Sequence, residues 1–425
     1  MRKLLKACLG LLLLAVLLIV ALGFYMHGDE PLSVNSKAML ERVEQSIPDE
    51  SRAYFYLLGF NAPSAQGAEQ GPIHYGRQRF EQVKKTATGT DFPIDERFYT
   101  YTPLPCIKAH FVGCFEPQVL QVAKDNLVNN AQLFERYQQL IALDDFAHLT
   151  APTGDEPLPD YVHLMAGSEM VLQSILLRAE AGDLTKAQQD LDLFIKHQRH
   201  WLAQSDNLLI KFVSLRTLTY SFELRHALNM RYALNLTPLA PLSKAERDLY
   251  LPMAREYAMM DTLYQQFADA KYAHLYFSDL YLAMPKVIQR LFYKPNMTSN
   301  YQQYPFQLAA ERSQQTLAQY LAASNEPQAR AAMSEIQNMI GVNLVDVATP
   351  HYLAYVEKIR VAEIQILLMN AVSDTPVTQW QARVKTLFPS NQVRLNQQSL
   401  CVELPKLKVP SVCIATPSVY LKSAA

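Results

Sequence analysis

The chain has 425 residues, with 39 Lys and Arg against 40 Asp and Glu and a net charge of −1; it lacks the basic excess that phosphate neutralisation requires, which argues against a nucleic-acid binder. Hydrophobic residues at 49% and charged residues at 19% supply enough apolar surface to offset chain entropy, which excludes wholesale disorder. The 13 glycines are too few for an architecture of many tight turns, phosphate loops or sheets.

In chain order, the first element is apolar. Arg2, Lys3 and Lys6 precede an uncharged stretch over residues 7–26 that includes Leu11, Leu12, Leu13, Leu14, Val16, Leu17, Leu18, Ile19 and Val20. As a helix rising about 1.5 Å per residue it reaches about 30 Å, the hydrocarbon thickness of a bilayer. Asp29 and Glu30 follow, and the next cation is Lys37. The positive-inside rule then places the N-terminus in the cytoplasm and the bulk across the membrane. The rival reading is a cleaved signal peptide, because Ala21-Leu22-Gly23 resembles a small-residue cleavage site; the length of the apolar run favours a retained anchor. Cys8 sits at the start of the run, whereas a lipidation cysteine follows it, so a lipoprotein is rejected.

Beyond the anchor the pattern is mostly helical. Residues 61–71 read as an exposed loop, and residues 88–113, around Pro103, Pro105 and Cys106, as an irregular or β segment. Over 119–141, Leu120, Ala123, Leu127, Ala131, Phe134, Tyr137 and Ile141 recur at three- and four-residue steps and mark one helical stripe. Helices are predicted over 161–181 and 184–203, with Gly182 as the C-cap of an αα-hairpin. Others follow over 207–234 and over 244–277, where Ser243 and Glu246 form a capping box and Pro252 kinks the helix or moves its start. Shorter ones cover 308–323, 328–339, 351–372 and 379–387. From 393 to 421, apolar and polar residues alternate around Val402, Leu404, Leu407, Val409 and Val412, with Pro405, Pro410 and Pro417. That tail reads as short edge strands in a hairpin.

The fold class expected is therefore all-α: antiparallel helical hairpins, as an irregular bundle or α-solenoid-like array, behind one N-terminal transmembrane helix and before a small extended C-terminal tail. The segments are residues 1–27 as anchor, 28–150 as an N-terminal helical part with an irregular disulfide loop, 151–390 as the main body, and 391–425 as the tail. Ala181-Gly182-Asp183-Leu184-Thr185-Lys186-Ala187, with Leu191 and Phe194, resembles the middle of a tetratricopeptide unit over about half of that unit. The Trp, Leu-Gly and Tyr positions of its first helix are unmatched upstream, and the pattern does not recur about 34 residues later. It reads as close packing of one helix pair.

Four cysteines outside the apolar stretch fall into two local pairs, Cys106 with Cys114 and Cys401 with Cys413. An even, locally paired set suits two small disulfide loops in an oxidising compartment, and no accompanying histidine pair completes a zinc site.

Nucleophile-elbow, zincin, Walker and dinucleotide-binding signatures are absent. One cluster resembles metal chemistry: His197 and His200, three apart on one predicted helix, with Glu223 and His226 in the Glu-x-x-His spacing of carboxylate-bridged bundles. The second Glu-x-x-His and the additional carboxylates of such bundles are not evident, so ordinary polar residues of a helical hairpin are the favoured reading. Asp144-Asp145 reads as a solvated pair beside a helix end, and His74 and His110 have no obvious partner. Residues 294–300 interrupt the helical pattern with polar side chains, making Asn296, Thr298 and Asn300 a candidate binding loop, with turn fixation as the blander role. Tyr250, Tyr257, Tyr264 and Tyr272 lie near one helix face, which suits packing at the rim of a core better than a ligand groove.

The function expected is that of a single-pass protein of the inner (plasma) membrane, with its bulk periplasmic or extracellular. Its partners are the lipid bilayer and an envelope protein, with no nucleic acid and no cofactor. An interaction or assembly factor leads; a metal-dependent envelope hydrolase and a hydrophobic-ligand binding protein are the alternatives.

Overall fold

The computed structural model describes residues 10, 13–14, 16–17, 23, 26, 28–62, 71–86, 100–154, 156, 159–234, 236–268, 292–322, 336–348, 351–389, 392–404 and 408–421. Within the apolar stretch, the described residues Gly10, Leu13, Leu14, Val16, Leu17, Gly23 and Met26 are helical, and the rest of it lies outside the described set. Among the described residues no helix is long and apolar enough to cross a membrane, so the expected transmembrane helix is not an observed element of this fold.

The body is mostly helical with few strands. It opens with α1 (Val34–Ser46), α2 (Arg52–Leu58), α3 (Gly71–Thr86) and the short α4 (Pro105–Lys108). The helices α2 and α3 cross backbone to backbone: a Cβ at Gly76 would lie 1.8 Å from the Phe55 carbonyl oxygen, and one at Gly59 would lie 1.9 Å from that of Pro72. Only glycine permits that approach.

The stripe over 119–141 is divided into α5 (Pro117–Asn129) and α6 (Ala131–Ile141). Asn130 makes the break: its Nδ2 donates to the Asn126 carbonyl at 3.0 Å and its Oδ1 accepts from Thr100 Oγ1 at 2.7 Å. A short polar side chain that bonds nearby main chain competes with the helical ladder. Next come α7 (Tyr161–Glu180), α8 (Leu184–Gln204) and α9 (Leu208–Tyr232). The α7–α8 turn has Gly182 at φ +91°, with Gly182 N–H bonded to Ala179 O at 3.0 Å and Asp183 N–H to Arg178 O at 3.2 Å, as expected of a glycine C-cap. The next stretch is also divided, into α10 (Lys244–Arg247) and α11 (Tyr250–Phe267). Ser243 and Glu246 form the predicted capping box, and Pro252 falls in the first turn of α11, where its missing N–H costs nothing.

Then follow α12 (Pro295–Gln314), α13 (Leu317–Ala322), α14 (Met339–Ala348), α15 (Leu353–Val372) and α16 (Val377–Val384). The tail is a three-stranded antiparallel sheet, β1 (Val393–Leu395), β2 (Ser399–Glu403) and β3 (Ser411–Ala415), in the order β1-β2-β3. Cys401 lies directly opposite Cys413 in the β2–β3 register and is bonded to it. The extended reading of the tail fails at its end. Pro417 begins a helix, α17 (Pro417–Leu421), which suits a residue whose fixed φ is already helical.

One buried core extends from Met39 in α1 to Tyr420 in α17. A smaller cluster of Tyr264, Phe267, Tyr293 and Val345 sits where the C-terminal end of α11 meets the start of α12 and α14. Tyr257 and Tyr264 are buried, so the tyrosine stripe of α11 is packing, and Tyr272 lies outside the described residues.

Candidate functional site

The first candidate is the polar run at 294–300. It is not a loop but the first turn and a half of α12, and its side chains are committed within the fold. Asn300 Oδ1 accepts from Ser33 N–H at 2.7 Å and from Ser36 Oγ at 2.9 Å. Its Nδ2 donates to Glu30 Oε1 at 2.7 Å and to the Pro31 carbonyl at 3.0 Å, so all four bonding positions of the amide are used. Thr298 is buried between the Lys294 carbonyl and Asn338 Nδ2, at 2.7 and 2.8 Å. Asn296 Oδ1 accepts from Gln265 at 3.0 Å.

The free N–H groups of this helix start are met from far away in sequence. Asp29 accepts from Asn296 N–H at 2.9 Å and from Met297 N–H at 3.1 Å. A carboxylate there satisfies two orphan donors and complements the positive end of the helix dipole. Lys294 is buried, and its Nζ donates to the Met26 carbonyl at 2.6 Å. The chain emerging from the apolar stretch is therefore fastened to α12 over residues 26–36, and the sequence signal for a loop came from residues that build this junction.

The four residues of the metal hypothesis do not meet. The α8–α9 hairpin turns at 205–207, so His197 and His200 lie opposite the first two turns of α9. Glu223 and His226 are roughly 11 residues, about 16 Å, further along. His197 and His200 line a shallow cavity of about 560 Å³ with Asp144, Lys196 and Glu246. There the His200 Nε2 faces the Asp144 carbonyl at 3.3 Å. Partial burial, with Lys196 and His200 beside it, lowers the His197 pKa. At the other end, His226 is enclosed, its Nε2 bonded to the Ala415 carbonyl of β3 at 2.8 Å. Burial lowers its pKa to about 4. Glu223 instead pairs with His110 Nδ1 at 3.0 Å and accepts from Gln365 at 3.2 Å. Among the described residues no group of three or more His, Cys, Asp or Glu could hold a metal ion.

His110 thus has a partner that spacing could not show. It lies in the loop closed by the Cys106–Cys114 disulfide, where His110 and Phe111 take left-handed φ values of +54° and +62°. The hydrogen bond to Glu223 is the main cause of its raised pKa. Its carbonyl accepts from Tyr420 OH at 2.8 Å. The disulfide loop, α9, β3 and α17 are joined at this one place.

Two further His–Asp pairs were missed because their partners lie on separate elements or before a helix start. His148 Nδ1 meets Asp206 Oδ1 at 2.6 Å in the interior, and His163 pairs with Asp160, the N-cap of α7. Both Asp pKa values are lowered by their histidine partners against the opposing effect of burial. The Asp145 carboxylate caps α2, accepting from Arg52 N–H at 2.6 Å and from Ala53 N–H at 3.0 Å.

An apolar groove of about 550 Å³ lies between α13, α15 and the ends of α16 and β2, lined by Leu317, Leu321, Leu367, Leu387, Phe388 and Leu404. Its chemistry suits apolar matter and offers no convergent acid, base or nucleophile. Comparison of the chain with protein-family models, with curated proteins and with solved structures returns no match.

Proposed function

We propose that the chain is a membrane-anchored, extracytoplasmic helical protein that acts by binding, as an interaction or assembly factor of the cell envelope. The observation that carries this reading is the junction between residues 26–36 and α12. Four polar side chains, Asp29, Glu30, Lys294 and Asn300, hold the segment that follows the apolar stretch against the body. A body so fastened is presented in one orientation, which suits assembly on a surface. The uncharged stretch at 7–26 behind Arg2, Lys3 and Lys6 supports a single span with the body on the far side. The two disulfides support an oxidising compartment.

Cross-linking in intact membranes, followed by affinity purification and mass spectrometry, tests it. The expected result is a reproducible, near-stoichiometric protein partner; recovery of this chain alone overturns the reading. A second reading, binding of a hydrophobic ligand, is favoured by the aliphatic groove at Leu317, Leu321 and Leu367. It predicts co-purifying lipid that Leu321→Trp displaces. The metal-dependent hydrolase is not retained, because His197 and His200 do not converge with Glu223 and His226.

A further inference from the structure

Ten large aliphatic or thioether side chains outside the apolar stretch are strongly solvent-exposed in the described residues, and four of them, Val34, Ile336, Met339 and Val347, belong to segments tied to one end of the α11–α12 pair. Val34 follows Ser33, whose N–H is held by Asn300. Ile336 and Met339 flank Asn338, whose side chain accepts from Lys294 N–H at 2.8 Å and donates to Thr298. The same Lys294 holds the Met26 carbonyl through its Nζ. One buried lysine thus connects the exit of the apolar stretch with the start of α14.

The other end of α14 is fixed to the same place. Val345 packs in the cluster of Tyr264, Phe267 and Tyr293, at the last turn of α11 and just before α12. Gly341 lies against Thr298, where a Cβ would come within 2.1 Å of Oγ1. So α14 lies across the end of the α11–α12 pair from which the chain runs back to the apolar stretch. Its inner face is Gly341 and Val345. Its outer face, at helical spacing, is Met339, Asn343, Asp346 and Val347, with Ile336 just before the helix. Ile336 is 72% exposed, Met339 51% and Val347 89%.

We propose that this outer face rests on the bilayer, with Ile336, Met339 and Val347 entering the headgroup–acyl boundary. The inference deepens the anchored-body reading and rests on it. The occupant follows from where the apolar stretch ends: if residues 7–26 span the bilayer, its surface lies at Met26, and Lys294 and Asn338 place the start of α14 beside that point. Apolar side chains that share one helix face beside a membrane-spanning segment gain by leaving water for the interface. The apolar side chains Ile336, Met339 and Val347 are what this face offers a membrane surface. A contact made by apolar side chains is insensitive to salt, and zwitterionic lipid tests it without an electrostatic contribution.

The full-length chain in phosphatidylcholine nanodiscs carrying bromine or doxyl quenchers near the headgroup tests this. Single substitutions Ile336→Trp, Met339→Trp and Val347→Trp are compared with Val128→Trp, a position on α5 whose 77% exposure lies within their range, after subtraction of the signal from Trp201 and Trp380. All four sites are exposed, so the substitutions leave the core intact. The expected result is at least about twofold greater quenching at the α14 sites than at 128, unchanged by salt. Quenching equal to that at 128 in a chain that co-elutes with the nanodisc overturns the docking of α14 and leaves the anchor standing. A chain that does not enter the nanodisc overturns both.

Discussion

The enclosure of His226 makes a quantitative prediction about pH. Its ring is buried, bonded to the Ala415 carbonyl, and near Trp380 and Tyr420 at centroid distances of 6.2 and 6.3 Å. Burial lowers its pKa from 6.5 to about 4. The unfolded chain therefore takes up a proton near pH 6.5 that the folded chain refuses until about pH 4. The stabilisation is fully present above pH 6.5 and is lost as pH falls between the two values. At about 1.4 kcal/mol per pKa unit, the loss approaches about 3 kcal/mol by pH 4. His226→Gln keeps an amide donor for Ala415 and cannot titrate. Urea unfolding of the full-length chain in detergent, read by tryptophan fluorescence, would compare wild type and variant from pH 7.5 to pH 4. The variant should lose ground at pH 7.5 but recover about 3 kcal/mol relative to wild type across the window. His110, whose pKa is raised, contributes in the opposite sense, losing stability as pH rises, and is present in both proteins. Identical pH dependence in the two proteins would refute the claim that His226 is held neutral by burial.

Removing the Asp29 carboxylate with Asp29→Ala should speed hydrogen exchange at Asn296 and Met297 by about tenfold, since a lost cap costs about 1–2 kcal/mol; Asp29→Asn, also a good cap, should stay near wild type. The Gly76→Ala variant drives a methyl group into the Phe55 carbonyl, and thermal unfolding should register a loss of at least about 2 kcal/mol. Replacing Cys401 and Cys413 together by serine opens a loop with a sequence separation of 12, and the denaturant midpoint should fall by the equivalent of about 3 kcal/mol. An unchanged midpoint would mean that β2 and β3 are held by their packing alone.

Much of the main body was legible because its signals are local. The helices α7, α8 and α9, the Gly182 cap and the Ser243–Glu246 capping box depend on residues within a few positions of one another. So do the two disulfides, whose cysteines are separated by 8 and 12 positions. The errors have a common form. Asn130 and the Asp248–Leu249 step divide stretches that hydrophobic periodicity joined, because periodicity does not register a side chain that bonds main chain instead of continuing a helix. Residues 294–300 looked like a loop because Asn, Thr and Ser disfavour helix interiors, yet each has a partner that removes the penalty.

Local sequence determined the helices of the α7–α8–α9 run, the strands at the start of the tail, and which cysteines join. Only the tertiary structure decided what the polar residues are for. Asp29 and Asp145 cap helices that begin hundreds or scores of residues away. The buried Arg360 donates to the carbonyls of Arg312 and Ser313 in the last turn of α12 and of Gln315 just past it, and the buried Lys211 donates to the Leu202 carbonyl near the end of α8. His110, with no neighbour in sequence, meets Glu223 across the disulfide loop. A helix end needs a donor or acceptor but does not specify from where, so its partner is chosen by whichever chain the packing brings beside it.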